Sequence, residues 1–171
     1  DPASATKTYG RFIIEPLEKG YGVTIGNALR RVALSSMQGA AITAIYIEGV
    51  LHEFATLDGV LEDVTEIILN LKGVRFKVKG DHPKPMAIEV NKKGEVTAKD
   101  IEGDSSVEIL NKKHHIATLT DDVEFRINME LGVGKGFRTA EENKTEDLPV
   151  NWIPIVSIFT PVLKVKYYVE P

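Results

Sequence analysis

Two stretches of the chain repeat with a helical period. Across residues 59–72 the apolar side chains Val60, Val64, Ile67, Ile68 and Leu71 fall at i, i+4, i+7, i+8 and i+11, one face of an α-helix. Glu62 and Asp63 stand in its first turn and Lys72 in its last, which suits the helix dipole, and Gly73 suits the position just past the end. The other helix is predicted over residues 25–37, with Thr24 as N-cap and Gly39 as its stop. Its apolar residues, Ile25, Ala28, Leu29, Val32, Ala33, Leu34 and Met37, cover more than one stripe. A helix apolar over most of its circumference is expected to be buried on two sides, one of which is often a subunit interface.

The rest of the chain reads with a period of two. Residues 11–15 predict a short strand stopped by Pro16, and residues 41–48 a strand with Ile42, Ala44 and Tyr46 on one face and Thr43, Ile45 and Ile47 on the other. Neither face is very polar, so that strand is expected to be covered on both sides. Val74, Phe76 and Val78 alternate with Arg75, Lys77 and Lys79. Residues 86–90, 107–110 and 115–119 are further strands, and Val123, Phe125, Ile127, Met129 and Leu131 mark a long one. Residues 132–144, rich in glycine and charge, predict a mobile loop, and residues 162–169 a last strand. This order of elements predicts an α+β fold with a mostly antiparallel, β-rich part.

Composition narrows the function classes. The 171 residues are 43% hydrophobic and 27% charged, ordinary for a globular chain. No apolar run approaches the roughly 18 residues of a membrane span, and no basic start followed by an apolar core reads as a secretory signal. The absence of cysteine removes disulfides, thiolate metal sites and cysteine nucleophiles, and fits a reducing cytoplasm. A net charge of −4 disfavours a broad DNA-binding surface.

Candidate chemistry is sparse. Gly20, Gly22 and Gly26 fail the dinucleotide spacing, because Ile25 occupies the required glycine position, and no phosphate-binding Gly-Lys-Ser/Thr follows. His52-Glu53 begins like a zinc-protease helix, but Thr56 stands where the second histidine is needed. His114 and His115 would point to opposite faces of a strand. Glu62, Asp63 and Glu66 lie opposite the apolar stripe of their helix and read as a solvated face. Asn143-Lys144-Thr145 matches a glycosylation sequon. No cofactor and no metal are expected. Arg30 and Arg31 either snorkel to the surface of a mostly apolar helix or anchor an interface, where arginine is favoured.

Three long blocks resemble the bacterial RNA polymerase alpha-subunit family: Glu15-Pro16-Leu17-Glu18-Lys19-Gly20-Tyr21-Gly22-Val23-Thr24-Ile25-Gly26-Asn27-Ala28-Leu29-Arg30-Arg31-Val32-Ala33-Leu34-Ser35-Ser36; Glu48-Gly49-Val50-Leu51-His52-Glu53-Phe54; and Glu62-Asp63-Val64-Thr65-Glu66-Ile67-Ile68-Leu69-Asn70-Leu71-Lys72-Gly73. A looser likeness runs on to Val169 through Phe159-Thr160-Pro161-Val162, so it covers nearly everything after residue 9. The resemblance implies a split dimerisation domain, residues 1–38 plus 161–171, around a β-rich insert domain of residues 39–160 that contacts the large subunits. It implies a cytoplasmic, non-catalytic scaffold, bacterial or plastid, whose partners are a second alpha chain and the beta and beta prime subunits. Ile25, Leu29, Val32, Ala33 and Met37 are then expected at the dimer interface. Asn27, Arg30 and above all Arg31, with Leu51, His52, Glu53, Phe54, Glu66 and Lys72, are expected against the large subunits. This family continues beyond the point matching Pro171 with a strand, a long amphipathic helix and a DNA-binding C-terminal domain. The dimerisation domain is therefore expected to be incomplete here, with no direct DNA contact. An archaeal or eukaryotic heterodimerising counterpart shares the Gly26-to-Arg31 core and is the second reading; a small independent enzyme is a third.

Overall fold

The computed structural model describes residues 2–170. Helix α1 (Tyr21–Ser35) leads almost directly into strand β1 (Gln38–Ile47), and α2 (Val64–Lys72) follows after a loop. Then come β2 (Phe76–Val78), β3 (Lys84–Val90), β4 (Gly94–Thr97), β5 (Ile101–Gly103), β6 (Val107–Ile109), β7 (His115–Leu119) and β8 (Phe125–Lys135). Strand β9 (Phe137–Arg138), helix α3 (Ala140–Asn143), β10 (Ile153–Pro154) and β11 (Ser157–Ile158) complete the order. The main sheet runs β10-β1-β8-β3-β5, and β2 with β6, β4 with β7 and β9 with β11 form two-stranded ribbons. Every pairing is antiparallel, so the fold is α+β as the patterning predicts.

Strand β1 corrects the simple alternation. Its register on β8 slips between Ile42 and Ala44, leaving Thr43 as an extra residue. A bulge of one residue moves everything beyond it to the other face. Ile42, Ile45 and Ile47 consequently share one face, opposite Leu131, Met129 and Ile127, and all six are buried. The bulge is held by Thr43, whose hydroxyl lies 3.2 Å from the Glu130 carbonyl and 3.1 Å from its carboxylate, while its own carbonyl accepts from the Ile155 N–H at 2.9 Å.

Helix α2 buries the predicted stripe, Val64, Ile67, Ile68 and Leu71, against this core and β7. Nine residues are too few for a stable helix alone, since isolated helices below ~12–15 residues are marginal, so packing keeps it folded. It begins at Val64 rather than at residue 59. The Asp63 carboxylate caps it, accepting the Glu66 N–H at 2.7 Å. Ahead of it, Val60 bridges Leu119 and the Leu61 N–H bonds the Thr118 carbonyl at 2.9 Å. Glu62 is no part of a solvated helical face: its side chain is 12% exposed and bonded to β7.

Four further expectations change. Residues 11–15 form no strand and Phe12 is 87% exposed; a strand needs a ladder partner, and none of the described residues supplies one. Residues 162–169 are likewise extended without a ladder. Helix α1 starts at Tyr21, with Gly20 in the left-handed region at φ 93° as its N-cap, so Thr24 sits inside the helix. Residues 132–144, expected as a mobile loop, are ordered. Strand β8 runs through Gly132 and Gly134, where a side chain would collide with Thr43 or the Phe159 ring, and β9 and α3 follow.

Asn143 in α3 is buried. It donates to the Ile155 carbonyl at 2.7 Å and to the Ser157 hydroxyl at 2.8 Å, so its amide is spent inside the fold and not presented as a sequon. Ser157 in turn lies 2.8 Å from the Ile42 carbonyl, which ties α3 and β11 to β1. Replacing Asn143 by alanine strands a buried carbonyl and hydroxyl and is expected to cost about 1–3 kcal/mol. In a urea titration of both variants, exposed Lys144→Ala should change stability by less than about 0.5 kcal/mol.

Candidate functional site

The residues expected to meet other subunits fall into two groups. The first is on α1. None of its residues is buried within the chain, so the expectation of burial on two sides fails for a single copy. Leu29 is 50% and Val32 55% exposed, Met37 just beyond the helix is exposed too, and Ile25 and Ala33 are half-buried. At 100° per residue Ile25, Leu29 and Val32 lie along one side. Val23, Asn27 and Arg31, at i, i+4 and i+8, lie along the opposite side. There they line an open cleft of about 610 Å³ with Thr24, Ala28 and Tyr167.

The extended C-terminal segment is part of this site, which the sequence reading missed. Tyr167 lies across Gly26 and Val169 across Gly22, so close that a side chain at either glycine would overlap them. Two glycines one turn apart thus make a groove in α1, and the segment fills it. The available signal was the alternation of Leu163, Val165, Tyr167 and Val169 with Lys164, Lys166 and Tyr168, which reads as one apolar face without saying what covers it. Arg30 bonds its guanidinium to the Oδ1 of Asn27, one of the cleft residues, at 3.2 Å. Arg31 is exposed, and no carboxylate of the described residues forms an ion pair with it.

The second group is the 51–54 loop with α2. Leu51 is 78% and Phe54 77% exposed, and His52 and Glu53 are exposed with them. The loop is nevertheless held. The Glu53 carbonyl accepts the Thr65 hydroxyl at 2.7 Å, and the Ala55 carbonyl accepts the Val64 N–H at 3.1 Å. Apolar tips are thereby presented on a backbone tied to the first turn of α2. Glu66 and Lys72 project from the exposed part of the same helix.

Replacing Gly26 by alanine should lift Tyr167 off α1 while leaving the helix intact, because alanine is the better helix former. The expected outcome is several-fold faster tryptic cleavage after Lys164 and Lys166 with unchanged helical circular dichroism.

The family model for the RNA polymerase Rpb3/RpoA insert domain matches residues 45–160. The chain is 52% identical over 166 residues to the DNA-directed RNA polymerase subunit alpha of Alkaliphilus metalliredigens, a match covering 97% of this chain and 53% of that protein. It is also 52% identical over 167 residues to the same subunit of Alkaliphilus oremlandii, covering 98% and 53%. The chain spans about half the length of these relatives. With a matched region that contains β8, α2 and the exposed 51–54 loop, the chain belongs to the RNA polymerase Rpb3/RpoA insert-domain family.

Proposed function

We propose that this chain acts as the assembly scaffold of a bacterial DNA-directed RNA polymerase, contributing surfaces rather than catalytic groups. On this reading two copies pair through α1, and each copy then receives one of two large subunits, beta or beta prime. Residues 1–38 and 161–171 form the pairing part, and residues 39–160 the insert. The protein works in the cytoplasm. Among the described residues no helix is long and apolar enough to cross a membrane.

The observation that carries the proposal is the state of α1. Its Ile25, Leu29 and Val32 side, which also carries the exposed Tyr21, is left largely open to water. Contiguous apolar surface of this kind marks an interaction site. A second copy related by a two-fold axis would present the same side in return, which is the commonest way such a surface is covered. The opposite side carries Asn27 and Arg31 in an open cleft, and Arg31 forms no ion pair with a carboxylate among the described residues. An arginine so placed is available to pair with a carboxylate on a partner. The names of the relatives and the family match support RNA polymerase as that assembly.

Two measurements test the two surfaces separately. The chain is expected to sediment as a dimer, and Leu29→Asp with Val32→Asp as a monomer that keeps the β-rich circular dichroism. A monomeric parent chain would instead favour a heterodimerising subunit. In a pull-down with the beta subunit, Arg31→Ala is expected to weaken retention by about 30-fold, the scale of an interface anchor of about 2 kcal/mol. Equal retention of parent and variant would remove the role given to Arg31.

A further inference from the structure

His115 at the start of β7 is bracketed by two carboxylates. Its Nε2 lies 2.8 Å from Glu62 Oε1, on the segment ahead of α2, and its Nδ1 lies 3.0 Å from Glu95 Oε1 on β4. Glu62 is fixed on the far side as well: the Thr118 N–H donates to its Oε2 at 2.7 Å and the Thr118 hydroxyl to its Oε1 at 3.1 Å. The two ring nitrogens point away from each other, so these side chains do not converge on a common centre, and no group among the described residues is arranged to hold a metal ion.

Ionised carboxylates only accept hydrogen bonds, and a neutral imidazole has a single N–H to give. A neutral ring would therefore set a lone pair against one of the two glutamates. Both contacts are satisfied together only by the imidazolium, which donates from both nitrogens.

We propose that His115 is a proton-operated staple: charged, it ties the 59–63 approach to α2 onto β7 and β4, and on losing its proton it lets one arm go. The arm released is Glu95. Its side chain is 61% exposed and can turn to water, whereas Glu62 is 12% exposed and locked to Thr118, so the remaining Nε2–H stays with Glu62. This device stands on the fold of the insert and does not depend on the assembly reading.

The surroundings favour the charged ring. The bond to Glu62 raises the His115 pKa above its ordinary value, burial works against it, and the bond to Glu95 and the charges of both glutamates add to the rise. Burial likewise opposes the charge on Glu62, but the bonds from Thr118 and His115 outweigh it and lower that pKa. From α2, Asn70 faces β7 with a neutral amide bonded to the Ile116 carbonyl, and Asp63 is turned to the helix N-terminus. Neighbouring His114 places its Nε2 on the Asn70 carbonyl. No cation stands among the groups that shift His115.

The sign follows from linkage. A raised histidine pKa contributes stability that is whole below the ordinary value of about 6.5 and is lost as pH rises through the native value. Glu62, with a lowered pKa, contributes above the ordinary carboxylate value and loses its part as pH falls through the native one.

The test is nitrogen-resolved NMR of the histidine rings in the chain as a function of pH. His115 is expected to titrate above the ordinary histidine value and to show two protonated ring nitrogens below that titration. Glu95→Gln, at an exposed position, should leave the fold unchanged and shift that titration downward. A titration at or below the ordinary value, or one that Glu95→Gln does not move, would overturn the proposal.

Discussion

Ile42, Ile45 and Ile47 meet Leu131, Met129 and Ile127 across the ladder of β1 and β8, the two longest strands. The other elements are attached to this ladder. Strands β3 and β5 extend the sheet from β8, and β10 extends it from β1. Helix α2 lays its buried stripe on the core they share, while α3 and β11 are tied to β1 through Asn143 and Ser157. Tyr46 stacks on Trp152 at 6.2 Å, fixing the chain that leads into β10. Because side chains alternate along a strand, the Thr43 bulge is what allows three isoleucines, two of them three residues apart, to serve one core. Without it, Ile42 would face away from Ile45 and Ile47.

The chain divides sharply in how completely it satisfies itself. Within residues 39–160 a large apolar core is covered and the buried polar groups Thr43, Asn143 and Ser157 are bonded, although apolar tips such as Leu51 and Phe54 stay exposed. On α1 the reverse holds. The groove of Gly22 and Gly26 is filled, by Val169 and Tyr167, but no side chain of the helix is buried. A helix in that state lacks the tertiary packing from which most helical stability comes. It also leads straight into β1, so whatever covers it would brace the strand that carries the core.

The approach to α2 is held by charge as much as by packing. Val60 and Leu61 bond along β7, and Glu62 leaves the helical path to reach Thr118 and His115. The segment leads directly into α2, whose Thr65 holds the footing of the 51–54 loop through the Glu53 carbonyl. Electrostatics at His115 and presentation of Leu51 and Phe54 are thus properties of one connected piece of backbone.

Much of this was legible from residue patterns. The stripe of Val64, Ile67, Ile68 and Leu71, the stop at Gly73, the alternation of β8 and the α+β class follow from period and composition alone, because they depend on which neighbours in sequence share a face. The three motif blocks carried the family. What the tertiary structure decided were matters of distant pairing. Thr43 finds Glu130 at a separation of 87 residues, and Glu62 finds Thr118 at 56. These contacts set the bulge, the true start of α2 and the role of His115. The glycines of residues 132–134 looked like a loop because nothing local reveals Phe159 crossing above them. The apolar pattern of α1 stated that the helix must be covered, and only the fold showed that its own chain leaves most of it open. A sequence period records that a face avoids water, but the surface that excludes the water is fixed by the packing of elements far apart in the chain.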